Sequence, residues 1–168
     1  YHINVTGTGH LVIQDESLVT SDTGNAYEFW VQEGGELEVY DSRIEQCGWD
    51  SDKLMNTGLW LDSDNVMLDN ATVLDGYKGL IVNGTAPEIR GSAITNNDDY
   101  GIDVRRGSNL KITDRSIVTQ NNRGINAVNA RLTLENSSVS SNDNEGLYLR
   151  EMYSSRIVNN IINENDDD

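Results

Sequence analysis

A short alternation of apolar and polar positions recurs along nearly the whole chain. Five copies begin with a glycine followed by two apolar residues separated by one position, at Gly58, Gly79, Gly101, Gly124 and Gly146. Two earlier copies carry His2 and Glu28 in the glycine position. The seven starts are separated by 26, 30, 21, 22, 23 and 22 residues. Four successive intervals of 21 to 23 residues indicate a repeat architecture.

Each copy contains three short segments with the two-residue period of β-strands. In the copy that begins at Gly79, the apolar positions are Leu80, Val82, Ile89 and Ile94. Turns rich in Gly, Asn, Asp and Ser separate the segments, and no segment keeps helical spacing. Because one short strand cannot bury its apolar side alone, the copies are expected to stack at about 4.8 Å per copy. The pattern predicts an all-β parallel β-solenoid of about seven coils of roughly 22 residues, a rod about 34 Å long.

The alternation also predicts which side chains point into the rod. In the first strand of each coil, the positions one and three after the start point inward, and those two and four after it point outward. The inward residues of the central coils are Leu59, Leu61, Leu80, Val82, Ile102, Val104, Ile125 and Ala127. The inward residues expected in the last strand of each coil are Leu18, Ile44, Val73, Ile94, Ile117, Val139 and Ile162.

An asparagine follows three residues after the last apolar position of several copies, at Asn97, Asn142 and Asn165. Together with the glycine start, this pattern resembles the right-handed parallel β-helix family, the repeats found in pectate lyases and in NosD-like surface proteins. The resemblance covers nearly the whole chain and implies a right-handed β-helix, but it is almost silent on activity. A leucine-rich repeat has a similar period, but its Leu-x-x-Leu-x-Leu-x-x-Asn string is absent from the chain.

One domain is expected over residues 1–168, with two insertions. A minor one lies near residues 21–25 and a larger one at 45–57. Insertions in solenoids form loops on one face, often the binding face. A chain that starts at Tyr1 is expected to be a processed chain or a fragment of a larger one.

Acidic residues dominate the charge of the chain. It has 28 Asp plus Glu against 12 Lys plus Arg, a net charge of −16 and a pI near 4.2. This argues against a nucleic-acid-binding protein, because a run of phosphates needs neutralising cations. No apolar run approaches the roughly 20 residues of a membrane-spanning helix, so no membrane insertion is expected. The one cysteine, Cys47, excludes an internal disulfide and is expected to pack in a turn as a small apolar residue.

Four Asn-x-Ser/Thr sequons are candidate glycosylation sites, at Asn4, Asn70, Asn83 and Asn136. A chain this rich in Asn, Ser and Thr also produces sequons by chance. We take the four as favouring an extracellular or cell-surface location.

All three tryptophans fall near one outward column of the solenoid. The residues two positions after the coil starts are Asn4, Trp30, Trp60, Ile81, Asp103, Asn126 and Tyr148. Trp49 lies in the 45–57 insertion, which leads back into the same strand. Flat aromatic faces beside carboxylates suit a carbohydrate surface, so Trp30, Trp49, Trp60 and Asp62 are the candidate glycan-binding residues. The alternative is that the loop covers the strand and the tryptophans pack against one another beneath it.

Asp62, Asp103 and Arg105 are the catalytic candidates, and they form an incomplete set. Asp62 and Asp103 lie two coils apart, roughly 10 Å by strand spacing, whereas inverting glycosidases hold two carboxyl groups about 6.5 to 9.5 Å apart. Asp103 with Arg105 and Arg123 would suit a lyase-type site, and the alternative is an exposed ion pair on the sheet. Both histidines of the chain lie in the first coil, so acid–base catalysis by histidine is poorly supported.

Paired aspartates offer oxygen ligands for Ca²⁺. The candidate ligands are Asp50, Asp52, Asp62 and Asp64. The chain has no EF-hand motif and no Ca²⁺-binding nonapeptide repeat, and an acidic protein contains such pairs by composition alone. No other cofactor is expected.

These observations favour a non-enzymatic extracellular or cell-surface module with a structural, adhesive or glycan-binding role. The alternative is a domain of a polysaccharide-active enzyme, namely a lyase, an epimerase or a glycosidase. Neither end of the chain carries a recognisable cap, so self-association through the solenoid ends into a head-to-tail filament is a further expectation.

Overall fold

Three parallel sheets of seven strands run along the molecule. The structure, a computed structural model, describes residues 1–22 and 24–166. With strands numbered in chain order, sheet 1 contains β1 (His2–Val5), β4 (Glu28–Val31), β7 (Leu59–Leu61), β10 (Leu80–Asn83), β13 (Tyr100–Arg105), β16 (Arg123–Val128) and β19 (Leu147–Arg150). Sheet 2 contains β2 (His10–Ile13), β5 (Glu36–Tyr40), β8 (Val66–Asp69), β11 (Glu88–Arg90), β14 (Asn109–Thr113), β17 (Arg131–Glu135) and β20 (Arg156–Val158). Sheet 3 contains β3 (Leu18–Val19), β6 (Arg43–Glu45), β9 (Thr72–Leu74), β12 (Ala93–Thr95), β15 (Ile117–Thr119), β18 (Ser138–Ser140) and β21 (Ile161–Asn163).

One strand from each sheet makes up a coil, and seven coils stack in register. In sheet 1 the register joins His2 to Glu28, Phe29 to Leu59, and onward through the partners Leu80, Ile102, Ile125 and Leu147. These pairings reproduce all six spacings predicted from the repeat. The prediction of a seven-coil parallel β-solenoid is therefore confirmed.

The core is a set of apolar columns inside the rod. All eight inward residues predicted in the first strands are at most 1% exposed, so that part of the register is confirmed. Two predicted inward residues of sheet 3 are wrong, because Leu18 is 53% exposed and Ile117 is 42% exposed. Their neighbours Val19 and Val118 face the core instead, in register with Ile44 and Val139. In both places two apolar residues are adjacent, so either of them could face the core. The alternation of apolar and polar positions therefore does not decide between the two registers.

A ladder of asparagines lies beside the glycines that start the last four coils. The Asn97 amide donates to Asn121 Oδ1 at 2.8 Å, Asn121 to Asn142 at 3.1 Å, and Asn142 to Asn165 at 2.9 Å. Each accepting oxygen also takes a backbone N–H from the preceding coil. At Gly101 a Cβ would lie 2.7 Å from Asn121 Nδ2, so the ladder leaves no room for a side chain there.

The 45–57 insertion folds into a short loop over sheet 1. Its residues Leu54–Asn56 form a 3-10 helix that packs on β4 and β7. Cys47 is buried, as predicted, and burial raises the pKa of its thiol. Thr23, in the minor insertion, lies outside the described residues. No helix in the described ranges has the length and apolar character needed to span a membrane.

Candidate functional site

The outer face of sheet 1 gathers the side chains that the sequence marked as candidates. Its central column runs in register through Asn4, Trp30, Trp60, Ile81, Asp103, Asn126 and Tyr148, as predicted. The two ends of this column differ in chemistry. Coils 2 and 3 present half-buried tryptophans. In coils 4 to 6 the column residues Ile81, Asp103 and Asn126 are buried, and cationic side chains from neighbouring positions contact Asp103.

Trp30 and Trp60 occupy neighbouring strands at the same register position. Both are half-buried, and the Trp30 indole Nε1 donates to the Met55 carbonyl at 2.8 Å. The His2 ring stacks on Trp30, with ring centroids 6.4 Å apart and planes inclined by 20°. The insertion loop therefore covers part of the tryptophan surface without burying it.

Trp49 and Asp62 flank this pair in different ways. Trp49 is 38% exposed, and its backbone N–H closes the insertion loop by donating to the Asn56 carbonyl at 3.0 Å. Asp62 follows Trp60 by two residues, so it lies on the same face, where it is half-buried and accepts a hydrogen bond from Asn83 Nδ2 at 3.2 Å. The structure thus places all four candidate glycan-binding residues on sheet 1 or in the loop that packs on it.

Asp103 does not form the exposed ion pair considered above, because it is completely buried. Its oxygens accept hydrogen bonds from Lys78 Nζ at 2.9 Å, Arg105 at 2.7 and 2.9 Å, and Asn126 Nδ2 at 2.8 Å. Burial alone would raise the pKa of Asp103, but Arg105 and Lys78 outweigh it and hold that pKa below its ordinary value. A carboxylate with this environment stays ionised and fully hydrogen-bonded, which suits neither proton donation nor nucleophilic attack.

A second column lies one residue before the coil starts, and apart from Arg123 it was missed from the sequence. It contains Lys78, Tyr100, Arg123 and Glu145. The Tyr100 ring lies 5.0 Å from Lys78 Nζ and 5.2 Å from the Arg123 guanidinium carbon, so it contacts two cations. The signal was available, since charged or aromatic residues directly precede four of the glycines.

Ion pairs complete this column. Arg123 pairs with Asp99 at 3.1 Å and with Glu145 at 3.0 Å. Beside them lies a cavity of about 260 Å³ lined by Tyr100, Arg123, Ile125, Glu145 and Tyr148. The cavity offers aromatic faces and balanced charges on the same outer face as the tryptophans.

The candidate Ca²⁺ ligands do not converge into a group of three. Asp50, Asp52 and Asp64 are exposed, and Asp64 Oδ1 accepts the Ala86 backbone N–H at 2.8 Å. Within residues 1–22 and 24–166, one group of three His, Cys, Asp or Glu side chains comes together, and it lies on sheet 2: His10, Glu36 and Glu38. The repeat alignment contains the signal for this group, because it places His10 opposite Glu36.

The four sequons differ in accessibility. Asn4, Asn70 and Asn136 are exposed. Asn83 is half-buried, and its amide nitrogen is engaged by Asp62. Three of the four candidate asparagines are therefore exposed, although the Asn70 amide nitrogen donates to Asp41 Oδ1.

Comparison with known families agrees with this geometry. Residues 57–168, two thirds of the chain, match a family model described as a right handed beta helix region. No curated protein matches the chain. With the parallel seven-coil solenoid, this match shows that the chain belongs to the right-handed β-helix family.

Proposed function

We propose that this protein is an extracellular or cell-surface β-solenoid module that binds a glycan on the outer face of sheet 1 without transforming it. One observation carries the proposal. Trp30 and Trp60 are register partners on that face, and both indoles stay partly accessible although a loop packs beside them.

The spacing of the face suits an extended carbohydrate chain that runs along the rod axis. Neighbouring strands lie about 4.8 Å apart, so Trp30 and Tyr148, five coils apart, are separated by roughly 24 Å. Indoles offer flat apolar faces to sugar rings, while the Asp62–Asn83 pair offers hydrogen-bonding groups to hydroxyls. Along the column the aromatic residues lie toward the two ends, and Ile81, Asp103 and Asn126 are buried between them.

The enzymatic alternative has weaker support. A glycosidase needs one carboxylic acid that can donate a proton and a second free carboxylate. Asp103 is held ionised by Lys78 and Arg105, and Asp62 is hydrogen-bonded to Asn83. Loss of activity in Asp103→Ala would also be ambiguous, because that change removes the nearest counter-charge of the buried Lys78.

Tryptophan fluorescence tests the proposal. We would titrate the protein with neutral and acidic oligosaccharides and expect a saturable shift with at least one of them. Trp60→Ala should weaken binding about tenfold or more, which corresponds to loss of one aromatic contact. Tyr153→Ala is the matched control, because Tyr153 is an exposed aromatic residue in coil 7, and it should leave binding unchanged.

The same oligosaccharides should be analysed for new reducing ends and unsaturated products after prolonged incubation. Intact ligand is the expected result. Cleavage that Asp62→Asn abolishes, in a variant with normal thermal stability, would favour the enzymatic alternative. No binding to any tested glycan, or equal losses in Trp60→Ala and Tyr153→Ala, would contradict the proposal.

A further inference from the structure

A histidine and two glutamates meet on the outer face of sheet 2, whereas Trp30 and Trp60 lie on sheet 1. His10 is the register partner of Glu36, and Glu38 projects from the same strand two residues later. His10 Nδ1 lies 3.8 Å from Glu36 and its Nε2 lies 3.6 Å from Glu38. Each of the three residues can present a ligand atom within 4.8 Å of the other two.

Within the described part of the chain, the two glutamates of this group lack the lysine or arginine partners that the other acidic residues of the sheet 2 strands have. The strands of sheet 2 contain three other acidic residues: Asp69, Glu88 and Glu135. Each of them pairs with a cation in the next coil, and the cations are Arg90, Lys111 and Arg156. Among the described residues, Glu36 and Glu38 form no ion pair with lysine or arginine, and a histidine stands in the place of the cation.

We propose that His10, Glu36 and Glu38 bind a divalent transition-metal ion of the Zn²⁺ class. Ligand atoms around tetrahedral Zn²⁺ lie about 3.4 Å apart, given metal–ligand bonds of about 2.0 to 2.2 Å. The distance of 3.6 Å between His10 Nε2 and Glu38 is already near that value. A cation placed there also neutralises the two carboxylates that no lysine or arginine reaches.

The ligand set decides the kind of metal. One imidazole nitrogen with two carboxylate oxygens favours Zn²⁺ and its neighbours in the first transition series. Ca²⁺ requires six to eight oxygen ligands, and this group provides one nitrogen and only two carboxylates. Three protein ligands leave a coordination position for water.

The bound ion would fasten coil 1 to coil 2. Coil 1 has the less complete core, since Val5 is 7% exposed and Ile13 is 6% exposed, whereas Val31 and Val39 in coil 2 are completely buried. An ion that binds only the folded state stabilises it as its concentration exceeds the Kd. Metal binding should therefore raise the thermal stability of this end of the rod.

Titration calorimetry with ZnCl₂ on the full chain, in a non-coordinating buffer at about pH 7.5, tests the proposal because metal binding requires a deprotonated histidine. We expect one saturable site and a higher Tm with Zn²⁺. His10→Ala should lower the affinity about tenfold or more, since loss of even a hydrogen-bond partner of a ligand costs about that much at other metal sites. His2→Ala is the matched control, because His2 is the other histidine in the chain. The Zn²⁺ affinity of this variant should stay within about twofold of that of the unsubstituted protein.

Glu38→Gln is the second test, since it preserves shape and removes the charge; it should weaken Zn²⁺ binding as His10→Ala does. The visible absorption of tetrahedral Co²⁺ should appear in the original protein and disappear in both variants. The proposal is overturned if Zn²⁺ shows no saturable binding, if His10→Ala and His2→Ala weaken it equally, or if Ca²⁺ binds as tightly. None of these outcomes bears on the tryptophan titration, so failure here leaves the glycan proposal standing.

Discussion

The Lys78 ammonium lies 2.9 Å from Asp103 Oδ2, and the two residues are only 6% and 0% exposed although they meet on the outer face of sheet 1. A charge buried in this way is tolerated because its counter-charge and hydrogen-bond partners are in place. The buried Lys78–Asp103 pair in the middle of this outer face is therefore expected to contribute to the stability of the fold.

Removing one partner of this pair should destabilise the fold strongly. We expect Asp103→Ala to lower the free energy of unfolding by about 3 kcal/mol, because buried Lys78 loses its nearest counter-charge and keeps the longer contact with Asp99, at 3.6 Å. The matched control is Glu88→Ala, which breaks the exposed Lys111–Glu88 pair and should cost less than about 1 kcal/mol. Urea denaturation measures both. Equal losses would show that the buried pair contributes no more than a surface pair.

Stability should fall in acid, in part because of Asp103. Its pKa is lowered in the folded state, so its contribution is complete above the ordinary aspartate pKa of about 3.9. That contribution is lost as the pH falls through the lowered pKa of the folded protein. We expect Asp103→Asn to lose less stability than the original protein between pH 5 and pH 2, as measured by urea denaturation across that range. Parallel curves for the two proteins would contradict this assignment.

A substitution at the centre of the asparagine ladder should lower the stability of the fold. Asn121→Ala removes the acceptor for both the backbone N–H and the side-chain amide of Asn97, and both donors are buried. We expect a loss of about 2 kcal/mol or more in the free energy of unfolding. Asn109→Ala, at an exposed position in the same coil, should change it by less than about 0.5 kcal/mol. A similar effect of the two substitutions would argue against the ladder as a source of stability.

Cys47 should not react in the folded protein. It is 1% exposed, and burial raises the pKa of its thiol, so very little thiolate is available to a reagent. A chromogenic disulfide reagent should label the protein only after denaturant is added. Rapid labelling without denaturant would place Cys47 at an accessible position.

We predict end-to-end association of the rods through an apolar surface on coil 7. Leu149, Ile157 and Ile162 in coil 7 are 38 to 43% exposed, whereas their register partners in coil 6 are completely buried. We predict that the 168-residue chain associates through this face, and that high salt promotes it by screening the net charge of −16. Sedimentation at low and high salt measures the effect.

The variant Ile157→Asp should abolish this association. Ile117→Asp, which changes an equally exposed isoleucine on the side of the rod, should leave it intact. A monomer at both salt concentrations would remove the prediction.

The fold could be predicted from the repeat. The candidate site depends on contacts between individual side chains of neighbouring coils, and the repeat does not specify those side chains. The repeat spacing predicted every register step in sheet 1, because each coil must bury the same inward positions. It failed at Ile117, where Val118 offers the alternative register. The burial of Asp103 also escaped prediction, because it depends on Lys78 from the preceding coil, a residue outside the strand pattern.

The register of the three sheets restricts how this rod can change in length. A single-residue insertion within a strand would turn every following inward side chain of that strand outward. Insertions are tolerated where the chain turns between sheets, as the 45–57 loop demonstrates. A gene encoding such a protein is therefore free to grow or shrink in whole coils, by duplication or deletion of segments of about 22 residues, with each junction restoring the same glycine and asparagine positions.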